Sequence, residues 1–236
     1  MKVDGRKNLS EPVYEHLLEM LLTQELRPGD KVPESVLAEQ FGVSRTPVRE
    51  AIRRLASDGI LTIYPNRHAE VTQFTQDDIY QIGQARIAID SMLAKLAVHY
   101  GSNADFEWLQ QLADTATENT KSGDIIRRVL TDCDFHHAFA KISHNQVLMR
   151  YYDSLAVRIK LLVAWNYVDF DYDCDASMDH HRLVQALFTR DAEAAVNIAA
   201  NHLVDFYSLH NVFPDAFFAP PSEEVSARIR LSKKSK

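Results

Sequence analysis

Apolar positions recur along most of this chain at the three-to-four residue spacing of helices, and one short stretch alternates instead. SEPVYEHLLEMLLTQE (10–25) places Val13, Leu17, Leu18, Leu21 and Leu22 on one helical stripe, with Ser10 as the expected cap. Arg27-Pro28-Gly29-Asp30 ends it with turn chemistry. A second short helix is predicted from Glu34 to Phe41, burying Val36, Leu37 and Phe41, with Gly42 as a left-handed C-cap. Ser44 then caps a third helix, in which Pro47 is harmless because the first turn has no intrahelical donor to lose. Val48, Ala51, Ile52 and Leu55 form its inward stripe, and Asp58-Gly59 ends it. ILTIYPNRHAEVTQF (60–74) reads as a hairpin turning at Pro65-Asn66. Three helices and a hairpin predict a winged helix-turn-helix.

From Thr75 the pattern is helical throughout. Thr75-Gln-Asp-Asp78 has the spacing of a capping box. Helices are predicted near 77–99, 104–121, 123–143, 145–167, 176–189 and 191–210, broken by Gly101-Ser102-Asn103, Ser122-Gly123, Ser143-His144, the acidic loop 169–177 and Arg190-Asp191. The expected class is mainly α: a winged helix-turn-helix over 9–74, then an antiparallel bundle of about six helices over 75–211. A tail over 212–236, rich in proline and basic at its end, is expected to be partly mobile.

Apolar content of 46% with 25% charged residues is ordinary for a globular protein. No apolar run approaches the roughly 18–20 residues of a membrane span. MKVDGRKNLSEP lacks the apolar core of a signal peptide, so no membrane and a cytoplasmic location are expected. Cys133 and Cys174 are too few for a disulfide framework. The formal charge is −7, of which −1 falls in residues 1–75 and −6 in the remainder. Binding to nucleic acid therefore cannot rest on the total. It rests on Arg45 to Arg54, where four arginines face one acid, Glu50.

Arg45, Arg49 and Arg53 share one face of the third helix, while Arg54 lies beside them. The planar arginine fork can take guanine O6 and N7 or a phosphate. Residues at the N-terminus of such a helix lie deepest in the major groove. Arg45 and Arg49 are therefore the candidates for base edges, with Ser44 and Thr46 on phosphate or base. Ser35 and the wing residues Arg67 and His68 are candidate phosphate contacts. Arg53 either contacts DNA or, like Arg54, pairs with Glu50 or Asp58. The competing reading is a solvated helix face; the Gly-Val-Ser turn, the short preceding helix and the wing argue against it.

LAEQFGVSRTPVREAIRRLASDGIL (37–61) resembles the winged helix of the GntR family of bacterial transcription regulators. RIAID (86–90), DCDFHHAFAKISHN (132–145) and DHHRLVQALFTRDAEAAVNIAANHL (179–203) resemble the FCD ligand-binding bundle found in one branch of that family. One departure lies in the wing, where Arg67 is followed by His68 rather than the usual glycine.

By this resemblance Asp132, His136, His180 and His202 are metal ligands. The chemistry agrees: Asp132 and His136 are one turn apart, and an antiparallel bundle can point three helices at one interior site. Imidazole with carboxylate suits zinc first, then nickel or manganese. The alternative is a surface Asp/His pair with scattered histidines. His137 and His181 point away from their neighbours' face and are set aside. Positions left open on such a metal suit a small carboxylate effector. Arg86 is its expected partner, because an inward arginine in an apolar bundle needs an anion, unless Asp90 one turn on supplies it. Asn145 and Arg158 are further pocket candidates. The implied function is a repressor that binds a pseudo-palindromic double-stranded operator as a homodimer and responds to the effector. The rival is a metal-dependent enzyme acting on a small carboxylate, with an attached DNA module.

Overall fold

A computed structural model describes residues 9–65, 68–121, 125–165, 175–207 and Leu209. The wing-tip residues Asn66 and Arg67, most of the acidic loop, and the expected tail lie outside these residues. The chain divides into two compact units, Met1–Thr75 with Val157–Tyr167, and Gln76–Ala156 with Val168–Lys236.

The first unit runs α1 (Ser10–Leu22), β1 (Lys31–Val32), α2 (Glu34–Gln40), α3 (Arg45–Ser57), β2 (Leu61–Ile63) and β3 (Ala69–Val71). Its antiparallel sheet has the order β1-β3-β2, with Leu61 opposite Val71 and Lys31 opposite Glu70. α1 packs on α3 through fully buried Leu17, Leu21, Val48 and Leu55. Gly42 holds φ +64°, and the Val43 N–H donates to Ala38 O at 3.0 Å, so α2 ends in the left-handed turn its sequence requires. Three local expectations need correction. Leu9, not Ser10, occupies the N-cap position of α1. Val36 is 56% exposed, because α2 is so short that only Leu37 and Ala38 face inward. Ser44 is the N-cap residue of α3 but makes no side-chain cap bond.

The second unit contains α4 (Gln76–Tyr100), α5 (Asn103–Lys121), α6 (Ile125–Ile142), most of α7 (Gln146–Ala164), α8 (Asp175–Phe188) and α9 (Ala192–Phe206). α4 packs along α9, α5 on α6 and α8, and α8 on α9. Phe106, Phe135, Phe139 and Tyr152 fill the centre. A Ser102–Asp105 capping box opens α5: the Ser102 N–H donates to Asp105 Oδ2 at 2.8 Å and the Asp105 N–H to Ser102 Oγ at 3.2 Å. The Asn145 side chain accepts the Val147 and Leu148 N–H groups and so caps α7.

The last turns of α7 belong to the first unit. The Trp165 indole donates to Leu21 O at 2.8 Å and the Gln24 amide to Ala164 O at 2.9 Å. Arg158 Nε donates to Asp58 O at 2.5 Å. Arg158 thus groups with the winged-helix unit. The helical period of 145–167 carries no mark of where one helix changes packing partners.

Candidate metal centre and DNA-binding face

Three imidazoles from three helices meet inside the bundle. His136 sits one turn beyond Asp132 on α6, His180 lies in α8 and His202 in α9, and all three are buried. Each offers one nitrogen, and these nitrogens lie within 4.8 Å of one another. Nε2 of His136 and Nε2 of His180 are 3.3 Å apart. Two nitrogens about 2.0–2.1 Å from one tetrahedral zinc would be separated by about 3.3 Å. Asp132 adds a carboxylate at the edge of the set, with Oδ1 3.5 Å from His180 Nε2 and Oδ2 3.9 Å from His136 Nε2. Burial first, then the positive charge of Arg86 and the other imidazoles, holds His136 well below the usual histidine range. Burial and neighbouring histidines do the same for His180. Both rings are therefore neutral near pH 7, as metal ligands must be. The donor set fits a divalent ion.

His202 has a partner on its outer edge. Its Nδ1 lies 3.7 Å from Asp179 Oδ2, while Asp179 Oδ1 accepts from Arg182 Nη1 at 2.9 Å. Burial alone would lower His202, but the Asp179 hydrogen bond and the charges of Asp132 and Asp179 outweigh it and raise its pKa. The outer Nδ1 atoms of His136 and His180 have no hydrogen-bond partner among the described residues. The cavity is lined by the three histidines, Asp90, Asp179 and apolar side chains including Phe139 and Leu183. It holds a volume of only about 10 Å³, roughly that of one water.

Arg86 is buried, and Asp90 is its partner: Nε donates to Asp90 Oδ1 at 2.8 Å, and Nη2 to the Tyr152 hydroxyl at 3.2 Å. Of the two anions the sequence allowed, the protein itself supplies one. Asp90 Oδ2 in turn stands 4.0 Å from His136 Nδ1, which links the arginine to the histidine cluster. His137 and His181 are engaged elsewhere, with Asp153 at 3.2 Å and Asp114 at 2.8 Å. Nothing in the sequence by itself marks Asp90 or Asp179 as a site residue. Asp179 directly precedes His180, and that adjacency to a candidate ligand was the available signal.

In the winged unit the polar groups point outward. Ser35, Ser44, Arg45, Thr46 and Arg53 are all exposed. Arg49 is held by Glu34 of α2, with Nε at 3.1 Å and Nη2 at 3.0 Å from Oε2. Arg54 pairs with Glu11 at 2.5 Å and lies over the Tyr14 ring. His68 faces Glu70 at 3.3 Å and the Tyr64 ring at 5.3 Å, and Arg67 lies outside the described residues.

Residues 9–71 match the family of bacterial regulatory proteins called gntR, and residues 81–205, more than half of the chain, match the FCD domain. The chain belongs to the GntR family, FCD branch. It is a DNA-binding transcriptional regulator of the GntR type. It is 29% identical over 187 residues to an uncharacterized HTH-type transcriptional regulator, YdhC, of Bacillus subtilis, covering 77% of this chain and 82% of that one. It is 27% identical to a probable D-xylose utilization operon transcriptional repressor of Paenarthrobacter nicotinovorans, covering 85% and 88%. Among solved structures, Escherichia coli McbR/YncC superposes with a TM-score of 0.73 at 25% identity, covering 86% of this chain and 97% of that one. No helix among the described residues of this GntR-family regulator is long and apolar enough to cross a membrane.

Proposed function

We propose that this GntR-family regulator is a repressor that binds a pseudo-palindromic operator as a homodimer, and that a small carboxylate held beside a divalent metal in the helical unit changes that binding. The convergence of three buried imidazoles, two of them with Nε2 atoms 3.3 Å apart, carries the reading. Asp132, His136, His180 and His202 would hold the ion, with zinc the best match and nickel or manganese suited to the same donors. When bound, a divalent cation supplies an electrophilic anchor for an effector oxygen. Arg86 stays cationic because Asp90 outweighs the cost of its burial, and it provides positive charge beside the cluster.

The small cavity gives the effector a way to act. A carboxylate larger than one water enters only if lining side chains move. An effector that binds the displaced arrangement more tightly shifts the population toward it. Asn145, spent as a helix cap, and Arg158, part of the winged-helix unit, do not enter this reading. On the DNA side Arg45 and Arg49 read base edges. Ser35, Ser44, Thr46 and Arg53 position the phosphates, with Arg67 and His68 on the wing. Repression follows the name of the Paenarthrobacter relative.

The test is metal analysis of protein purified without a histidine tag, followed by operator titration with and without chelation and added carboxylates. About one divalent metal per chain is expected, with operator affinity that depends on an added carboxylate only in the metal-loaded protein. Absence of metal, together with an affinity that no carboxylate changes, would overturn the proposal.

A further inference from the structure

Tyr207 follows α9 and is almost wholly buried, yet its hydroxyl has no hydrogen-bond partner among the described residues. Its position is enforced by α4. A Cβ at Gly83 would stand 2.7 Å from the Tyr207 ring, so the ring lies directly against the α4 backbone at Gly83. Arg86 is the next residue along that face of the helix, three positions on.

A second buried tyrosine, Tyr152, differs. The Tyr152 hydroxyl accepts a hydrogen bond from Arg86 Nη2 at 3.2 Å. One of two buried phenols near Arg86 is therefore satisfied and the other is not. A buried hydroxyl left without a partner costs stability, and folded proteins retain few of them. Burial also keeps the phenol protonated by raising its pKa, so the group is a standing donor. Arg86 uses Nε for Asp90 and Nη2 for Tyr152. One unused buried donor, the phenol, therefore lies a helical turn from Arg86, whose partner Asp90 stands 4.0 Å from His136.

We propose that Tyr207 is a ligand-recognition residue, its hydroxyl donating to an oxygen of the bound carboxylate. This rests on the effector reading above and assigns a further contact to it. The test compares full-length, zinc-loaded wild type with Tyr207→Phe and Tyr152→Phe. Two measurements are made: the melting temperature without ligand, and the affinity for acetate, the smallest stable carboxylate probe after formate. Tyr207→Phe should melt at the same temperature or higher, because it deletes an unpaired polar atom, and should bind acetate fivefold or more weakly. Tyr152→Phe should melt lower, because it strips a partner from a buried arginine.

A clear fall in melting temperature for Tyr207→Phe would mean that its hydroxyl serves the fold, and would overturn the proposal. So would acetate affinity unchanged in Tyr207→Phe. A wild type that holds zinc but does not bind acetate overturns the Tyr207 assignment alone. A wild type without metal removes the effector reading first.

Discussion

The two units of this regulator place their functional groups in opposite ways. In the winged-helix unit the candidate DNA contacts are exposed, and the core beneath α3 is apolar. In the helical unit the functional groups are the interior: Arg86, Asp90, His136, Ser143, His180 and His202 are the buried polar or charged residues of the described chain, and all belong to that unit. An exposed arginine costs folding almost nothing and can be exchanged freely. A buried imidazole or guanidinium has to be repaid by partners, and where the partner is incomplete the group is available to a ligand. Substitutions should therefore separate cleanly. Changes on α3 should alter DNA binding with little effect on stability, and changes in the cluster should alter ligand binding and stability together.

The largest expected effect lies in the cluster. His136→Ala removes one imidazole of three and should weaken zinc binding by more than about 100-fold, beyond the range seen for outer partners. Operator affinity of the metal-free protein should stay within about twofold of wild type, since no residue of α3 is touched. Asp179→Asn, which removes the carboxylate charge beside the outer nitrogen of His202, should cost about 10–100-fold in zinc affinity. His137→Ala and His181→Ala should change it little, because those rings pair with Asp153 and Asp114. Competition titration against a chromophoric chelator measures all four. If His137→Ala loses zinc and His136→Ala keeps it, the cluster has been assigned to the wrong face of α6.

The same burial predicts a pH dependence of stability. The pKa values of His136 and His180 are depressed in the folded chain, so their contribution is present above the unfolded value near 6.5 and is lost as pH falls below it. Each should cost the metal-free protein up to about 1.4 kcal/mol per pH unit there. His202 is shifted upward, so its contribution is full below about 6.5 and fades as pH rises through its folded value. Urea unfolding of chelated protein at a series of pH values should show stability falling toward acid, and His180→Gln should flatten that slope by about half. A slope identical in wild type and His180→Gln would show that His180 is not buried in neutral form.

Much of this contrast is legible in the sequence, for different reasons in each unit. Helix period places each helix among the described residues to within a few residues, because most of the apolar stripes are long. β1 was missed: two residues between Asp30 and Pro33 are too few to alternate. The arginine face of α3 could be read directly, since an exposed face is whatever the apolar stripe leaves over. The interior was harder. Periodicity says that Arg86 points inward but not that Asp90 meets it. It says nothing of Tyr207, whose place depends on Gly83 in a helix more than a hundred residues earlier. The grouping of Arg158 with the winged-helix unit is not legible either, because α7 keeps one period along its whole length.

On the exposed side, Arg49→Ala should weaken operator binding by about 1–3 kcal/mol and relax preference at one base position per half-site. Its ion pair with Glu34 is half exposed and contributes little, so stability should move by no more than about 0.5 kcal/mol. Glu34→Gln should leave operator affinity unchanged or raise it, because Arg49 is released. Titration at fixed salt with operator variants checks this. A loss of stability larger than the loss of operator affinity would break the contrast between the units.

Ser44 gives the smallest effect and separates display from folding at a single hydroxyl. A serine at an N-cap position ordinarily accepts from the first turn of its helix, and replacing it by alanine costs about 1 kcal/mol. Ser44 has the extended backbone of a cap residue, with φ −71° and ψ 165°, but its side chain makes no such bond. It stands exposed at the N-terminus of α3, beside Arg45 and Thr46, where backbone N–H groups and the helix dipole favour a phosphate. If the hydroxyl is held for DNA, Ser44→Ala should lower stability by less than about 0.5 kcal/mol and weaken operator binding by about 0.5–1.5 kcal/mol, the worth of one neutral hydrogen bond. The loss should be equal across operator sequences, because a phosphate contact carries no base information. Denaturant unfolding and a binding titration on the same preparations compare the two numbers. A stability loss near 1 kcal/mol with operator affinity unchanged would make Ser44 an ordinary helix cap, and would return that residue from the DNA-binding face to the fold.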